Sequence, residues 1–230
     1  LSRAVVGVSQ NTADTHARSL GVARSRVQVI PNGIEPKAGD RRAGRAAFGV
    51  GDGECVVLAV GNLYPVKGHD TLVKAAAALS AFSDVPPWRV FIAGRGDQEQ
   101  PLRSLIEEHQ LEGRVSLLGL RDDIADLLAG ADIFAMPSRM EGLPLAVLEA
   151  MLAKRPVVCS QVGGLPDLLE QGRLGALVPP ENPEALAAAL RVVMVHYDDA
   201  SRVACDAYDT IVETYSADAM TSAYLRAFGQ

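Results

Sequence analysis

Two glutamates, Glu141 and Glu149, lie eight positions apart and could act as acids, bases or hydrogen-bond acceptors. Every residue from Leu143 to Leu148 is apolar or proline, and a helix that is apolar all round is normally buried. A buried carboxylate without a partner costs several kcal/mol. The pair is therefore hard to explain structurally, and we interpret Glu149 in the helix and Glu141 just ahead of it as candidate site residues.

The two carboxylates could instead form the catalytic pair of a glycoside hydrolase. Eight residues span roughly 12 Å along a helix. The paired carboxyl groups of such hydrolases stand about 5–5.5 Å apart when retaining and about 6.5–9.5 Å apart when inverting. Long side chains and a folded loop could shorten the gap, so the spacing disfavours this hypothesis without removing it. Separate roles for the two glutamates fit the spacing better.

Cationic and glycine-rich segments follow several of the predicted strands. Lys67 lies in GNLYPVKGHD after CVVLAV, and Arg95 lies between two glycines in GRGDQ after RVFIA. Helix starts predicted at 142–145 and 163–166 would offer free N–H groups and the positive end of a helix dipole. Because the carboxyl ends of parallel strands share one edge of a sheet, these groups are expected to bind a phosphorylated ligand there, most simply a nucleotide.

Each of these features also has an ordinary structural explanation. Glycine after a strand is common in turns, and GRGDQ does not complete the G-x-G-x-x-G spacing of a dinucleotide site. Asp122 and Asp123 are typical of a helix N-cap and its neighbour, and Arg121 is typical of a solvated surface cation. His69 fits a first-turn helix residue as well as it fits a site residue.

The elements that would position these residues alternate along the chain. Apolar runs predict strands at 4–9, 27–31, 55–61, 89–94, 115–119, 132–138, 155–160 and 175–180. Helical patterns lie at 69–82, 97–111, 122–129, 143–152 and 183–195, and the chain is helical from 198 onward with a break near Ser216. This alternation predicts an α/β fold with a doubly wound, Rossmann-like parallel sheet.

Composition excludes several classes of protein. The chain has 230 residues, 48% of them apolar, and a net charge of −6, which argues against nucleic acid as a partner. No apolar run approaches the roughly 20 residues of a membrane span, and without a signal peptide the chain is predicted to be cytoplasmic. Cys55, Cys159 and Cys205 are widely spaced, which predicts reduced thiols rather than a disulfide or a metal site.

Three segments closely resemble family-4 retaining glycosyltransferases of the GT-B fold, and the resemblance runs from about Val27 to Leu190. The motif from Glu141 to Glu149, preceded by Pro137-Ser138, is specific. The segments are GNLYPVKGHDTLVKA, SLLGLRDDIADLLAGADIFAMPSRMEGLPLAVLEAM and VGGLPDLLEQGRLGALVPPENPEALAAAL. Such enzymes have two Rossmann-like halves facing across a cleft; the second binds a sugar nucleotide and the first binds most of the acceptor.

The resemblance implies a role for each matching residue. Glu149 is expected to accept hydrogen bonds from the ribose hydroxyls, Glu141 to lie by the transferred sugar, and Lys67 to neutralise the diphosphate of a UDP- or GDP-sugar. Glu141 and Lys67 are thus the expected catalytic residues. The expected donor-binding residues are Asn62, Lys67, Arg95, Leu120, Arg121, Ser138, Gly142, Leu143, Pro144, Leu145 and Glu149. Leu120 and Arg121 would lie beside the nucleobase, and no metal and no other cofactor is expected.

Asn62 departs from the pattern of the resemblance. Many family members have an arginine at this position, which shares the diphosphate with the lysine. Asparagine can donate a hydrogen bond to a phosphate but supplies no charge. Lys67 therefore acts alone, Arg95 or Arg139 substitutes, or donor affinity is weak.

The resemblance also implies a division of the chain. Residues 1–34 resemble the end of the acceptor half and the hinge, 35–197 the nucleotide-sugar-binding domain, and 198–230 the helices that cross back. This donor-binding half is expected to be inactive alone. A glycan or lipid-linked acceptor, and any association with the inner face of the membrane, would depend on the missing half. The alternatives are a nucleotide-sugar-binding module without turnover and a sugar-nucleotide epimerase of similar architecture.

Overall fold

The computed structural model describes residues 5–228, apart from the side chains of Val5, Asn11 and Arg24. Its strands are β1 Val5–Gly7, β2 Val27–Val29, β3 Cys55–Val60, β4 Trp88–Ala93, β5 Val115–Gly119, β6 Ile133–Met136, β7 Val157–Ser160 and β8 Ala176–Val178. Its α-helices are α1 Gln10–Ser19, α2 Arg41–Phe48, α3 His69–Leu79, α4 Glu99–Glu108, α5 Ile124–Gly130, α6 Leu145–Leu152, α7 Leu165–Leu168, α8 Pro183–Val195, α9 Tyr197–Thr214 and α10 Ala217–Phe228.

The strands form two parallel sheets. Strands β1 and β2 pair with each other, and the other six form a sheet in the order β5-β4-β3-β6-β7-β8. The chain therefore moves outward in one direction from β3 to β5 and in the other from β6 to β8. The point of reversal lies between β3 and β6, whose carboxyl ends flank the crevice where doubly wound sheets bind ligands. The predicted fold class is confirmed.

Helices cover both faces of the six-stranded sheet, which explains why its strands are continuously apolar. One face is covered by α3, α4 and α8, with Leu72, Leu102 and Leu190 in the core. The other is covered mainly by α5 and α6, with α2 and α9 outside them, and its core includes Leu127 and Leu148. Among residues 5–228, no helix is long and apolar enough to cross a membrane.

Most predicted elements are present with shorter bounds. Strand β1 ends at Gly7 rather than at 9 because Ser9 caps α1. Helix α6 begins at Leu145 rather than at 143 because extended Pro144 precedes it as the N-cap. Helix α5 begins at Ile124 rather than at 122, with Asp123 as the N-cap residue. The predicted break near Ser216 separates α9 from α10. Ala4, Gly229 and Gln230, assigned from sequence to the first strand and the last helix, lie outside the described residues.

Helix α2 was not predicted from the sequence, although both of its ends carry ordinary signals. The Asp40 side chain accepts hydrogen bonds from the amides of Arg42 and Ala43, and Gly49 ends the helix in the left-handed region at φ 63°. Arg45, however, faces inward and is only 5% exposed. A buried arginine in RRAGRAAF obscured the apolar stripe by which the helix would have been recognised.

The three cysteines are free thiols, as predicted. Cys159 is buried in β7 and Cys55 is half-buried in β3, whereas Cys205 is exposed on α9. Burial is the main cause that raises the pKa of Cys55 to about 12 and the pKa of Cys159 above its usual range. The two strand cysteines are therefore protonated core residues at neutral pH.

Candidate functional site

The loops that follow β3 and β6 meet at the reversal point of the sheet. Gly68 has φ +65°, and a Cβ there would lie 2.1 Å from the carbonyl oxygen of Pro137. The amide of Arg139 donates to the carbonyl of Val66 at 2.8 Å. Glycine at 68 thus lets the two loops pack on each other.

Lys67 and Glu141, which come from these two loops, form an ion pair. The Lys67 Nζ lies 2.7 Å from Oε1 of Glu141, and their side chains are 25% and 7% exposed. Oε1 also accepts a hydrogen bond of 2.6 Å from the hydroxyl of Ser138, which is completely buried. Oε2 accepts no hydrogen bond within the described residues and is not sealed from solvent. Glu141 is therefore a fixed carboxylate with one open oxygen.

The start of α6 offers backbone donors next to this pair. Pro144, the N-cap residue, makes no side-chain capping bond. Within residues 5–228, the amides of Gly142, Leu143, Leu145 and Ala146 donate no hydrogen bond. They lie at the positive end of the helix dipole, where an anion is stabilised. The helix start predicted at 142–145 thus leaves its amides without an acceptor in the described part of the protein.

The second predicted anion-binding start, at 163–166, has a different role. The amide of Gly164 donates to the carbonyl of Gly142 at 2.9 Å, and the amide of Leu165 donates to that of Val162 at 3.1 Å. Gly163 has φ +59°, and a Cβ there would lie 1.8 Å from the carbonyl oxygen of Glu141. Of the amides at this helix start, that of Gly164 supports the loop that carries Glu141 and that of Leu165 closes a local turn, so neither is free for an anion.

Glu149 lies at the same edge of the sheet, on α6. It is half-buried, and its carboxylate makes no hydrogen bond or ion pair with any other described residue. It lines a cavity of about 160 Å³, which α5 and α6 border on one side and the segment 35–37 on another. Asp122 and Ile124 at the start of α5 line the same cavity. The carboxylate is thus neither sealed in the core nor neutralised by a core cation.

The cations considered as substitutes for the arginine missing at Asn62 differ in their surroundings. Asn62 and Arg95 are exposed, and their side chains have no partner among the described residues. Arg139 donates to both carboxylate oxygens of Asp70, at 2.9 and 2.8 Å, and to Glu181 at 2.8 Å. These hydrogen bonds raise the pKa of Arg139 above its usual range. Arg139 thus links its own loop to the first turn of α3 and to the loop that carries Glu181, whereas Arg95 has no such partner among the described residues.

Leu120 and Arg121 follow β5. Leu120 is 66% exposed. Arg121 is half-buried and forms a bidentate ion pair with Asp123, one of whose hydrogen bonds measures 2.8 Å. Arg121 is therefore a paired cation rather than the freely solvated one that the sequence suggested. Asp123 is the N-cap residue of α5, but its side chain contacts Arg121 and makes no capping bond.

His69 is the first residue of α3 and is only 3% exposed. Burial is the main cause that lowers its pKa to about 4, and the nearby backbone of Gly61 and Asn62 partly opposes that effect. Neither ring nitrogen makes a hydrogen bond in the described structure. Of the two interpretations of His69, the structure favours a neutral, buried helix residue.

A second ion-pair cluster lies at the opposite edge of the sheet and was not recognised from the sequence. Asp132 accepts hydrogen bonds from Arg41 at 3.1 Å, from Arg45 at 3.0 Å and from the amide of Val56 at 2.8 Å. Arg45 also donates to backbone carbonyls, including that of Glu54 at 2.8 Å. The arrangement links α2 to the amino ends of β3 and β6. Within residues 5–228, no group of three or more His, Cys, Asp or Glu residues could hold a metal ion.

Comparison with known proteins gives concordant results. Residues 54–195 match the family described as glycosyl transferases group 1. The chain is 33% identical over 214 residues to a D-inositol 3-phosphate glycosyltransferase of Mycobacteroides abscessus, covering 88% of this chain and 47% of that protein. The corresponding protein of Mycobacterium bovis is 33% identical over 237 residues, covering 94% and 48%. The chain thus spans about half the length of the curated relatives that it matches.

Solved structures of similar proteins share the fold. Anabaena HepE in complex with UDP and glucose superposes with a TM-score of 0.89 at 25% identity, covering 100% of this chain and 64% of HepE. WaaG, a glycosyltransferase of lipopolysaccharide biosynthesis, superposes with a TM-score of 0.80 at 21% identity, covering 98% and 62%. The match over residues 54–195 shows that the chain belongs to the family of glycosyl transferases group 1, and the solved structures show that it has the fold of GT-B enzymes.

Proposed function

We propose that this chain is the donor-binding half of a retaining glycosyltransferase that uses a nucleoside diphosphate sugar. The observation that carries the proposal is the arrangement at the reversal point of the sheet. There, the Lys67–Glu141 pair lies beside four free amides at the start of α6, and the unpaired Glu149 lines a cavity on the same helix. Solved complexes of HepE with UDP and with UDP-glucose, at 25–26% identity, favour a uridine nucleotide over a guanosine nucleotide.

Each part of the donor has a chemically suitable partner in this arrangement. The ribose hydroxyls donate to Glu149, and the nucleobase lies near Leu120 and Arg121. The diphosphate lies between Lys67 and the amides at the start of α6, in the range 142–145. The sugar lies against the open oxygen of Glu141. A cation and a helix amino end on one side, with carboxylates for hydroxyl groups on the other, match the charge distribution of a sugar nucleotide.

Asn62 leaves the diphosphate short of one positive charge. Arg139 is a poor substitute because Asp70 and Glu181 occupy its guanidinium group. Arg95 is exposed and unpaired within the described residues. We therefore assign the compensating charge to Arg95, with Lys67 as the principal cation.

The proposed reaction proceeds with retention and without a covalent intermediate on the protein. As the bond from the sugar to the diphosphate breaks, negative charge grows on the leaving phosphate, and Lys67 and the α6 amides stabilise it. The leaving phosphate then guides the acceptor hydroxyl to the same face of the sugar and takes its proton. Glu141 orients the sugar through its open oxygen. No metal is required in this scheme because the cation and the amides supply the stabilisation.

The proposal assigns the acceptor to a part of the enzyme that this chain does not include. Residues 1–34 belong to the acceptor half and the hinge, 35–197 to the donor domain, and 198–230 to helices that return to the acceptor half. A glycan or lipid-linked acceptor and any contact with the inner membrane face would be determined there. A binding module without turnover is the second candidate, and it describes what this chain alone is expected to do.

A screen of UDP-, GDP- and ADP-sugars for thermal stabilisation of this chain tests the proposal. A ligand present at a hundred times its dissociation constant adds about 2.7 kcal/mol to the free energy of unfolding. We expect stabilisation by UDP-sugars that does not depend on added Mg²⁺ or Mn²⁺. Lack of stabilisation by every sugar nucleotide would contradict the proposal, and loss of binding with EDTA would contradict its metal-free form.

A further inference from the structure

We propose that Ser138 is a positioning residue that holds Glu141 in place when Lys67 turns to the diphosphate. This inference rests on the proposed function, since it concerns the same donor. Ser138 is 0% exposed, so its side chain is out of reach of a ligand. Its position in the Pro137-Ser138 motif suggested direct donor binding, whereas the structure directs its hydroxyl to Glu141.

The distances show which hydrogen bond the single hydroxyl proton makes. The Ser138 Oγ lies 2.6 Å from Oε1 of Glu141 and 3.1 Å from the sulfur of Met136. Short O–H···O⁻ bonds to a carboxylate are among the strongest in proteins, whereas a thioether is a weak acceptor. The proton therefore lies on the bond to Glu141. Met136, the last residue of β6, contacts the hydroxyl through its sulfur.

Lys67 cannot fix Glu141 and neutralise a diphosphate equally well at the same time. Among the described residues, its Nζ has one partner, Glu141 Oε1 at 2.7 Å, and its side chain is 25% exposed. A doubly charged diphosphate competes with that single carboxylate for the ammonium group, and the flexible lysine stem can follow it. Ser138 cannot follow because it is enclosed by β6 and the loops. It keeps Oε1 engaged after Lys67 has moved.

The backbone of Glu141 is held as firmly as its side chain. The loop at 163–164 contacts it closely, with the amide of Gly164 bonded to the carbonyl of Gly142 at 2.9 Å. With the backbone and Oε1 both fixed, the remaining oxygen, Oε2, has one orientation. Ser138 thereby determines which way Glu141 presents its open oxygen to the sugar, without touching the sugar itself.

A double-mutant cycle on the full chain tests this role, with affinities for UDP and UDP-glucose measured by titration calorimetry. Ser138→Ala should lower the affinity for UDP-glucose on the order of tenfold and that for UDP by less than about twofold. Glu141→Gln should have the same pattern, and the double variant should be little worse than either single one. Ser138→Cys, which keeps the volume but is a poor donor, should behave like Ser138→Ala.

Three outcomes would overturn the assignment. Additive effects in the cycle, or equal losses for UDP and UDP-glucose, would mean that Ser138 does not act through Glu141. Wild-type behaviour of Ser138→Cys with a defect in Ser138→Ala would mean that the residue only fills space. If the unmodified chain bound no nucleotide at all, the proposed function itself would fail, which is distinguishable from a cycle that fails on a chain that binds.

Discussion

Each edge of the six-stranded sheet holds a carboxylate bonded to a cation. The two carboxylates differ in how many of their oxygens accept hydrogen bonds. At the amino edge, Asp132 uses both oxygens, which accept from Arg41, Arg45 and the amide of Val56. At the carboxyl edge, Glu141 accepts twice at Oε1 and not at all at Oε2, and Glu149 has no partner among the described residues. A completed cluster holds the fold, whereas an incomplete one beside a cavity can hold a ligand.

The largest expected effect is a loss of stability on mutation of Asp132, whose two oxygens both accept hydrogen bonds. Asp132→Asn removes the negative charge between two arginines, and breaking a buried ion pair typically costs about 3–5 kcal/mol of stability. Urea unfolding of this chain measures the change. Glu149→Gln is the matched control and should change stability little, since no pair is lost. Equal stability of Asp132→Asn and the unmodified chain would remove the distinction between the two edges.

His69 gives the next largest effect, as a dependence of stability on pH. Its pKa is lowered from 6.5 to about 4, mainly by burial, so the unfolded chain binds this proton more tightly than the folded chain. The contribution of neutral His69 to the free energy of unfolding is therefore fully present above pH 6.5. It is lost as the pH falls toward 4 and amounts to about 3 kcal/mol in total.

Urea unfolding of this chain between pH 7.5 and 4 measures the effect of His69, with His69→Gln as the comparison. The variant should show a shallower fall in the free energy of unfolding over that range. Identical slopes for the two proteins would mean that His69 titrates as freely in the folded chain as in the unfolded one.

Lys67 belongs to the incomplete cluster and should affect binding more than folding. Lys67→Ala should weaken UDP by about 1.5–3 kcal/mol, the range for a hydrogen bond to a charged group, and should change the affinity for uridine far less. The difference should shrink in high salt because the charges are screened. Calorimetric titrations at two salt concentrations provide the measurement. A similar loss for UDP and uridine would argue against Lys67 as the diphosphate cation.

The smallest expected effects on UDP affinity come from Arg95 and Arg139. They decide which of the two arginines supplies the charge missing at Asn62. Arg95→Ala should weaken UDP by about 1 kcal/mol or less, since an exposed charge interacts weakly, and should leave stability unchanged. Arg139→Ala should lower stability because it releases Asp70 and Glu181, and should leave UDP affinity nearly unchanged. The reverse pattern, measured by the same titrations and by urea unfolding, would assign the charge missing at Asn62 to Arg139.

The sequence predicted the fold and the residues at the carboxyl edge of the sheet, Glu141 and Glu149, better than the Asp132 cluster at the amino edge. Continuous apolar strands alternate with helices, and the Glu141–Glu149 spacing follows one strand directly, so local patterns were sufficient. The Asp132–Arg45 pair joins residues 87 positions apart, which no local pattern relates. Likewise, the hydrogen bond from the Gly164 amide to the Gly142 carbonyl depends on two loops meeting in space, and the sequence did not indicate that this amide is used within the protein.

The ion-pair partners of the arginines could not be predicted from the sequence either. Arg139 comes from a loop and Asp70 from helix α3, and only their bidentate contact reveals that Arg139 is occupied. Asn62 and Arg95, by contrast, were predicted at strand ends and lie there exposed. The placement of residues at strand ends was predictable from the local sequence, whereas which side chains neutralise each other was not.

Titration of UDP into the unmodified chain and the Glu149→Gln variant tests the central claim most directly. The claim predicts that the chain binds UDP, and that Glu149→Gln weakens binding by about 1.5–3 kcal/mol because ribose hydroxyls lose a charged acceptor. Glu141→Gln, the matched control, should leave UDP affinity nearly intact and lower only the affinity for UDP-glucose. Unchanged UDP affinity in Glu149→Gln, or no binding of UDP by the unmodified chain, would contradict the claim.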